Sequence, residues 1–125
     1  MEGRQMQKTF DHERLDVYRT AVEWVALAQD IAAAMLNGSG HAALADQLQR
    51  AASSVTLNIA EGAGEFSPAE KSRFYRIAKR SATECAAILD VAKRRSCVAE
   101  THFQQGRQLL LRIVGMLIKL AQAHA

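Results

Sequence analysis

Proline occurs once in these 125 residues, aromatic residues make up 6%, and there are two cysteines. With almost no proline, long stretches are free of helix breakers. The apolar 49% is drawn mainly from alanine and leucine, which favours an all-α chain. Cys85 and Cys97 are too few for a disulfide framework or a cysteine-built metal site, so both are expected as ordinary thiols. The longest apolar stretch, LLLRIVGMLIKL at 109–120, is interrupted by Arg112 and Lys119 and is too short to span a bilayer. MEGRQMQKTF at the start lacks the apolar core of a secretory signal, so the cytosol is the expected location, with no membrane partner. The four histidines are His12, His41, His102 and His124, and none follows a glutamate by three, as a di-iron carboxylate bundle would need. EGAGEF at 61–66 is a helix break and not a phosphate-binding loop. No nucleophile stands beside a base with triad logic. The expectation is a protein that is not an enzyme and uses neither metal nor cofactor.

The length suits one domain. Residues 1–12 are expected as a loose N-terminal segment and 13–125 as the folded unit. Four helices are legible. The first runs from about Glu13 to Leu36, where Val17, Ala21, Trp24, Ala28, Ile31 and Met35 alternate by four and three. NGSG at 37–40 stops it, with Asn37 and Gly38 suited to a left-handed cap. The second runs from about Ala42 to Glu61, with Gly62 as its C′ residue. The third opens on Ser67, Pro68 and Glu70, the pattern of a capping box with proline at N1, and ends near KRRSC at 93–97. The fourth runs from about Ala99 to Ala123 and is apolar on most sides, so it is expected to be buried on most sides. Short loops between long helices predict an antiparallel up-down-up-down four-helix bundle. A domain this small cannot cover so wide a stripe, which predicts a homo-oligomer with Leu110, Val114, Leu117 and Ile118 at its interface.

Within the bundle a polar seam is expected. Asn58 and Glu61 lie near the end of the second helix, and a carboxylate there faces the negative pole of the helix dipole. Gln47, Arg50, Ser54, Asn58 and Glu61 share a flank of that helix, with Asn58 closest to its apolar face, and Ser81 and Glu84 are the polar residues at the core stripe of the third. Buried polar groups need partners. Asn58 is expected to bond across to the third helix, and Glu61 to pair with Arg73, Arg76 or Arg50.

Charge is unevenly placed. Residues 71–95 carry eight cations against Glu84 and Asp90, a local +6 in a chain whose net charge is +3, so the remainder sums to −3. Arg73, Arg76 and Arg80 fall on one outward arc of the third helix, Lys79 is at its edge, and Lys93, Arg94 and Arg95 lie at the far end. Such an arc suits phosphate-led, salt-sensitive binding of RNA or DNA. Only Tyr75 is near enough for base stacking, so sequence reading is not expected.

The stretch DQLQRAASSVTLNIAEGAGEFSPAEKSRFYRIAKRSATE at 46–84, with NIAEG, Ser67, Glu70, RF, IA and SATE at its core, resembles the small four-helix-bundle proteins encoded in intervening sequences of bacterial 23S ribosomal RNA genes. LDVYRTAVEW at 15–24 fits that family's first helix, and the likeness spans nearly the whole chain. The family is related to the accessory protein of diversity-generating retroelements, a barrel of five bundles that binds nucleic acid and a reverse transcriptase. The resemblance therefore implies a cyclic homopentamer with an RNA or DNA partner. Glu65 and Phe66 depart from the pattern, since polar or basic residues are expected there, and this argues against the loop itself touching phosphate. A nucleic-acid-binding oligomer and a protein-interaction scaffold without nucleic acid are the two functions in view.

Overall fold

The structure, a computed structural model, describes residues 8–125. Most of the expected loose segment 1–12 lies outside the described residues. Four long helices carry the fold: α1, Asp16–Met35; α2, Ala42–Gly64; α3, Pro68–Arg94; and α4, Glu100–Ala123. No strand occurs among the described residues. Each helix packs on its neighbour in sequence, and α4 returns to pack on α1, so the four enclose one core.

That core is lined largely by alanine, which lets the helices approach closely. Ala21, Ala28 and Ala32 on α1 join Ala45, Ala52, Ala78, Ala82 and Ala92 among the buried residues. Trp24 is the largest fully buried side chain. Gly106 of α4 makes room for it: a methyl group at Gly106 would stand 2.9 Å from both Trp24 Cζ3 and Leu89 Cδ1. The indole N–H of Trp24 has no well-formed hydrogen bond and faces the Cys85 sulfur, a weak acceptor.

Helix boundaries differ from the sequence reading at three places, each for a local reason. The first helix does not begin at Glu13. Asp11–Arg14 form a 3-10 turn, Leu15 is extended, and α1 starts at Asp16. The turn packs against α2 and α1, and the His12 ring lies between Phe10 (5.7 Å) and Tyr18 (4.5 Å). Gly62 is not a C′ residue. It lies inside α2 because Tyr75 fills the space where a side chain would go; a methyl group at Gly62 would stand 2.8 Å from Tyr75 Cε1. In the loop after α1 the left-handed residue is Gly40 (φ 83°), in place of Asn37 or Gly38.

The loop from α3 to α4 is closed by Ser96, whose φ of 58° is unusual for a residue with a side chain. Its N–H donates to Lys93 O (3.0 Å) and the next N–H, of Cys97, donates to Ala92 O (3.0 Å). This is the bonding pattern that usually recruits glycine at a helix end.

Candidate nucleic-acid interface

Helix α3 carries the basic segment, and its start is fixed by local chemistry. Ser67 is extended (ψ 126°), and its Oγ accepts the Glu70 N–H at 3.3 Å, with Pro68 supplying a preset first turn. The expected capping box is only half formed. The Glu70 carboxylate turns forward to Arg73, at 3.0 Å, instead of back to the cap.

The seven cations singled out from the sequence divide into two sets. Arg73 is committed to Glu70, and its guanidinium lies 4.5 Å from the Phe74 ring centroid. The hydrogen bond to Glu70, then its charge, raises the Arg73 pKa. Arg76 donates to Ser72 Oγ (2.6 Å), and Ser72 donates in turn to Ala121 O on α4 (3.1 Å), so this arginine helps clasp two helices. Lys93 covers the Phe103 ring at 4.4 Å and approaches Glu100 at 3.6 Å. The Gln104 amide, and beyond it Lys93, hold the Glu100 carboxyl below its ordinary range.

Lys79, Arg80, Arg94 and Arg95 form the second set. All four are exposed, and none has an ion pair or side-chain hydrogen bond among the described residues. From Arg80 to Arg94 is fourteen residues, or about 21 Å along the helix. Arg80 and Arg94 lie within about 40° of each other around the axis, so they share an outward strip. Tyr75, the aromatic expected nearby, is 2% exposed and packs against Gly62 and His124, so it offers no face for a base. No three His, Cys, Asp or Glu residues come together as a metal site among the described residues.

The polar seam exists in a different form from the one expected. Asn58 does not reach α3. Its amide donates within α2, to Ser54 O (2.8 Å) and Ser54 Oγ (3.1 Å). Ser54 makes the crossing, its Oγ lying 2.8 Å from that of Ser81. Glu84 accepts from Gln47 Nε2 at 3.3 Å, a second and separate link. Glu61 pairs with none of its three candidate partners: Arg50 is held by Asp46 (3.0 Å), Arg73 by Glu70 and Arg76 by Ser72. Glu61 is exposed at the end of α2, where water solvates it.

Lys71 supplies what Glu61 does not. Its Nζ donates to the carbonyls of Gly62 (3.2 Å) and Ala63 (2.9 Å), the open end of α2. A cation at a helix C-terminus satisfies both the carbonyls and the dipole. Sequence reasoning counted Lys71 only as charge. The signal that could have found it is its place on the first turn of α3, one short loop beyond the end of α2.

The expected oligomer interface also divides. Leu110 and Leu117 are 2% and 0% exposed and belong to the bundle's own core, so they cannot meet another copy without unfolding this one. Val114 is half-buried, whereas Ile118 is 40% and Leu111 60% exposed.

Among solved structures, a protein of unknown function from the S23 ribosomal protein family of Bacteroides thetaiotaomicron VPI-5482 has the same fold. It superposes with a TM-score of 0.79 at 19% identity, covering 84% of this chain and 97% of that one. No curated protein matches the chain. No helix among the described residues is long and apolar enough to cross a membrane. Residues 13–119 match the family described as 23S rRNA-intervening sequence protein, and the chain belongs to that family.

Proposed function

We propose that this protein is a non-enzymatic, cytoplasmic, oligomeric bundle that binds RNA or DNA through the outer strip of α3. The observation that carries the reading is the set of four exposed and uncommitted cations, Lys79, Arg80, Arg94 and Arg95. Cations held in structural ion pairs have little left to give to phosphate, whereas these four are available. Binding is led by the phosphate backbone, whose contacts carry no sequence information directly, and the strip presents no aromatic face on which a base could stack. Several copies in one assembly strengthen a weak strip by avidity.

Helix order and short loops support an up-down-up-down course, and the exposed Leu111 and Ile118 on α4, with Val22 on α1 at 46%, support association of copies side by side. Two different strips meeting head to tail give a closed ring when the rotation allows it, in keeping with the family resemblance to a pentamer.

Fluorescence anisotropy with labelled RNA and DNA tests the binding directly. Affinity should fall steeply between about 50 and 200 mM salt. The triple variant Arg80→Glu, Arg94→Glu, Arg95→Glu should lose binding while it keeps its helical circular dichroism, with a melt lowered only slightly by the two carboxylates at the C-terminal end of α3. Equal binding by the variant would remove α3 from the interface. No binding at low salt would leave the protein-scaffold reading in its place.

A further inference from the structure

Glu65, Lys71 and Tyr75 have no part in the proposed nucleic-acid strip, and the fold brings all three to one place. They line an open cleft of about 460 Å³ at the end of the bundle where α2 stops and α3 starts. That is the size of a small-molecule pocket. Two relations fix the set. Lys71 and Tyr75 are four residues apart on α3, so their side chains are neighbours on one face. Lys71 Nζ reaches the Ala63 carbonyl at 2.9 Å, and Glu65 follows two residues later as the extended cap of α2.

Each of the three has bonding capacity that the protein does not use. Lys71 Nζ carries three N–H donors, and the Gly62 and Ala63 carbonyls take two. No carboxylate pairs with Lys71 among the described residues. Glu65 is half-buried and has neither an ion pair nor a side-chain hydrogen bond among them. Tyr75 is 2% exposed, and its hydroxyl has no hydrogen-bond partner among the described residues. Two other orphan atoms, Trp24 Nε1 and His41 Nδ1, are wholly enclosed, whereas the Tyr75 hydroxyl keeps an opening, at this cleft. The His124 ring lies against the Tyr75 ring at 6.0 Å. Burial raises the Tyr75 pKa, so the hydroxyl keeps its proton and can donate. A buried polar group without a partner is costly, which makes this hydroxyl a place for a ligand to bond.

The charges at the cleft say which ligand. Arg14 and Asp11 also line it, but they hold each other at 3.0 Å. One cation, one carboxylate and one hydroxyl remain, among apolar walls supplied by Leu15, Leu120 and Phe66. A phosphate chain suits this set poorly, because Glu65 repels it. A purely apolar molecule leaves all three groups unpaired. The terminus of a peptide brings only one of the two charges. We propose that the cleft binds a free α-amino acid with an apolar side chain. Its carboxylate accepts from the third Lys71 N–H and from the Tyr75 hydroxyl, its ammonium group donates to Glu65, and its side chain lies among the apolar walls.

Saturation-transfer difference NMR with L-leucine tests this, and L-leucine should bind saturably. Tyr75→Phe removes only an unpartnered hydroxyl, so it should leave the melt unchanged while weakening leucine about tenfold. Glu65→Gln keeps the shape of the side chain and removes its charge, and it should weaken leucine by a similar factor. Isocaproate, which is leucine without its ammonium group, should bind the parent about tenfold more weakly than leucine does. Glu65→Gln should no longer distinguish the two. No saturable binding of leucine at millimolar concentrations would overturn the proposal. So would leucine binding unchanged by Tyr75→Phe, or a preference for leucine over isocaproate that survives Glu65→Gln.

Discussion

Gly106 and Gly115 lie on the same helix but differ in what a methyl group would meet. Replacing a helical glycine by alanine ordinarily gains about 1 kcal/mol, because the unfolded chain has less freedom to lose. Gly115 faces open space, so Gly115→Ala should show that gain. Gly106 touches Trp24 and Leu89, at 0% and 1% exposure, and neither can move aside. Overpacking of that kind costs about 1–3 kcal/mol, so Gly106→Ala should lower the melting temperature while Gly115→Ala raises it. A shift of the same sign in both would contradict the close packing around Trp24. Cys85 gives a pH-dependent prediction at the same scale. Burial pushes its thiol up to about 12, although the Trp24 indole N–H pulls the other way. The unfolded thiol ionises near 8.5 and the folded one keeps its proton until about 12. Stability from this group is therefore present below about pH 8.5 and declines as pH rises from there toward 12. At mildly alkaline pH a thiol reagent should label half-buried Cys97 in the folded protein and reach Cys85 only after unfolding. Equal labelling rates would show that the core opens around Trp24.

At the scale of the helices, the Ser54–Ser81 contact is the half-buried polar link of the α2–α3 seam, beside the exposed Gln47–Glu84 bond, and Asn58 orients it by donating to Ser54. Asn58→Leu removes that donor without adding charge and should cost about 1 kcal/mol. Asn58→Asp puts a half-buried carboxylate against the Ser54 carbonyl, which the single Ser54 hydroxyl offsets only in part, and should cost roughly 1–3 kcal/mol more at neutral pH. Repulsion of this kind raises the carboxyl pKa in the folded state, so the difference between the two variants should shrink as pH falls. Equal melting temperatures at neutral pH would mean that water already solvates the site. The helices themselves were legible because apolar spacing repeats over twenty residues or more, and Ser67-Pro68 marks a start without help from the rest of the fold. The pairings were not. Whether Arg73 serves Glu61 or Glu70 depends on a three-residue spacing along one helix competing with a contact across two, and the nearer carboxylate wins. Gly62 was misread because a glycine near a helix end looks the same whether it caps the helix or admits Tyr75, and only the neighbouring helix decides.

At the scale of the whole molecule, the proposed association of copies turns on which residues of α4 its own bundle already uses. Its wide apolar stripe is two surfaces in one. Leu110, Ile113 and Leu117 point into the core, while Leu111 and Ile118, one residue further on, are turned outward by about 100°. Charge substitutions on the two surfaces should therefore fail differently. Leu117 is 0% exposed, and Leu117→Glu would bury an unpaired carboxylate, at a cost of several kcal/mol that a marginally stable domain cannot absorb. Loss of the helical signal is expected, not a folded monomer. Leu111 is 60% and Ile118 40% exposed, and a glutamate at either can reach water in an isolated copy. Leu111→Glu with Ile118→Glu should keep the helical circular dichroism and reduce the sedimenting mass to that of one chain, 13.7 kDa. Within a contact between copies the same two charges would be desolvated, which is why they should separate the copies without unfolding them. A double variant that sediments as the parent does would take α4 out of the proposed side-by-side contact. Scattering would then have to distinguish a contact through Val22 on α1 from a chain that does not associate through its flanks.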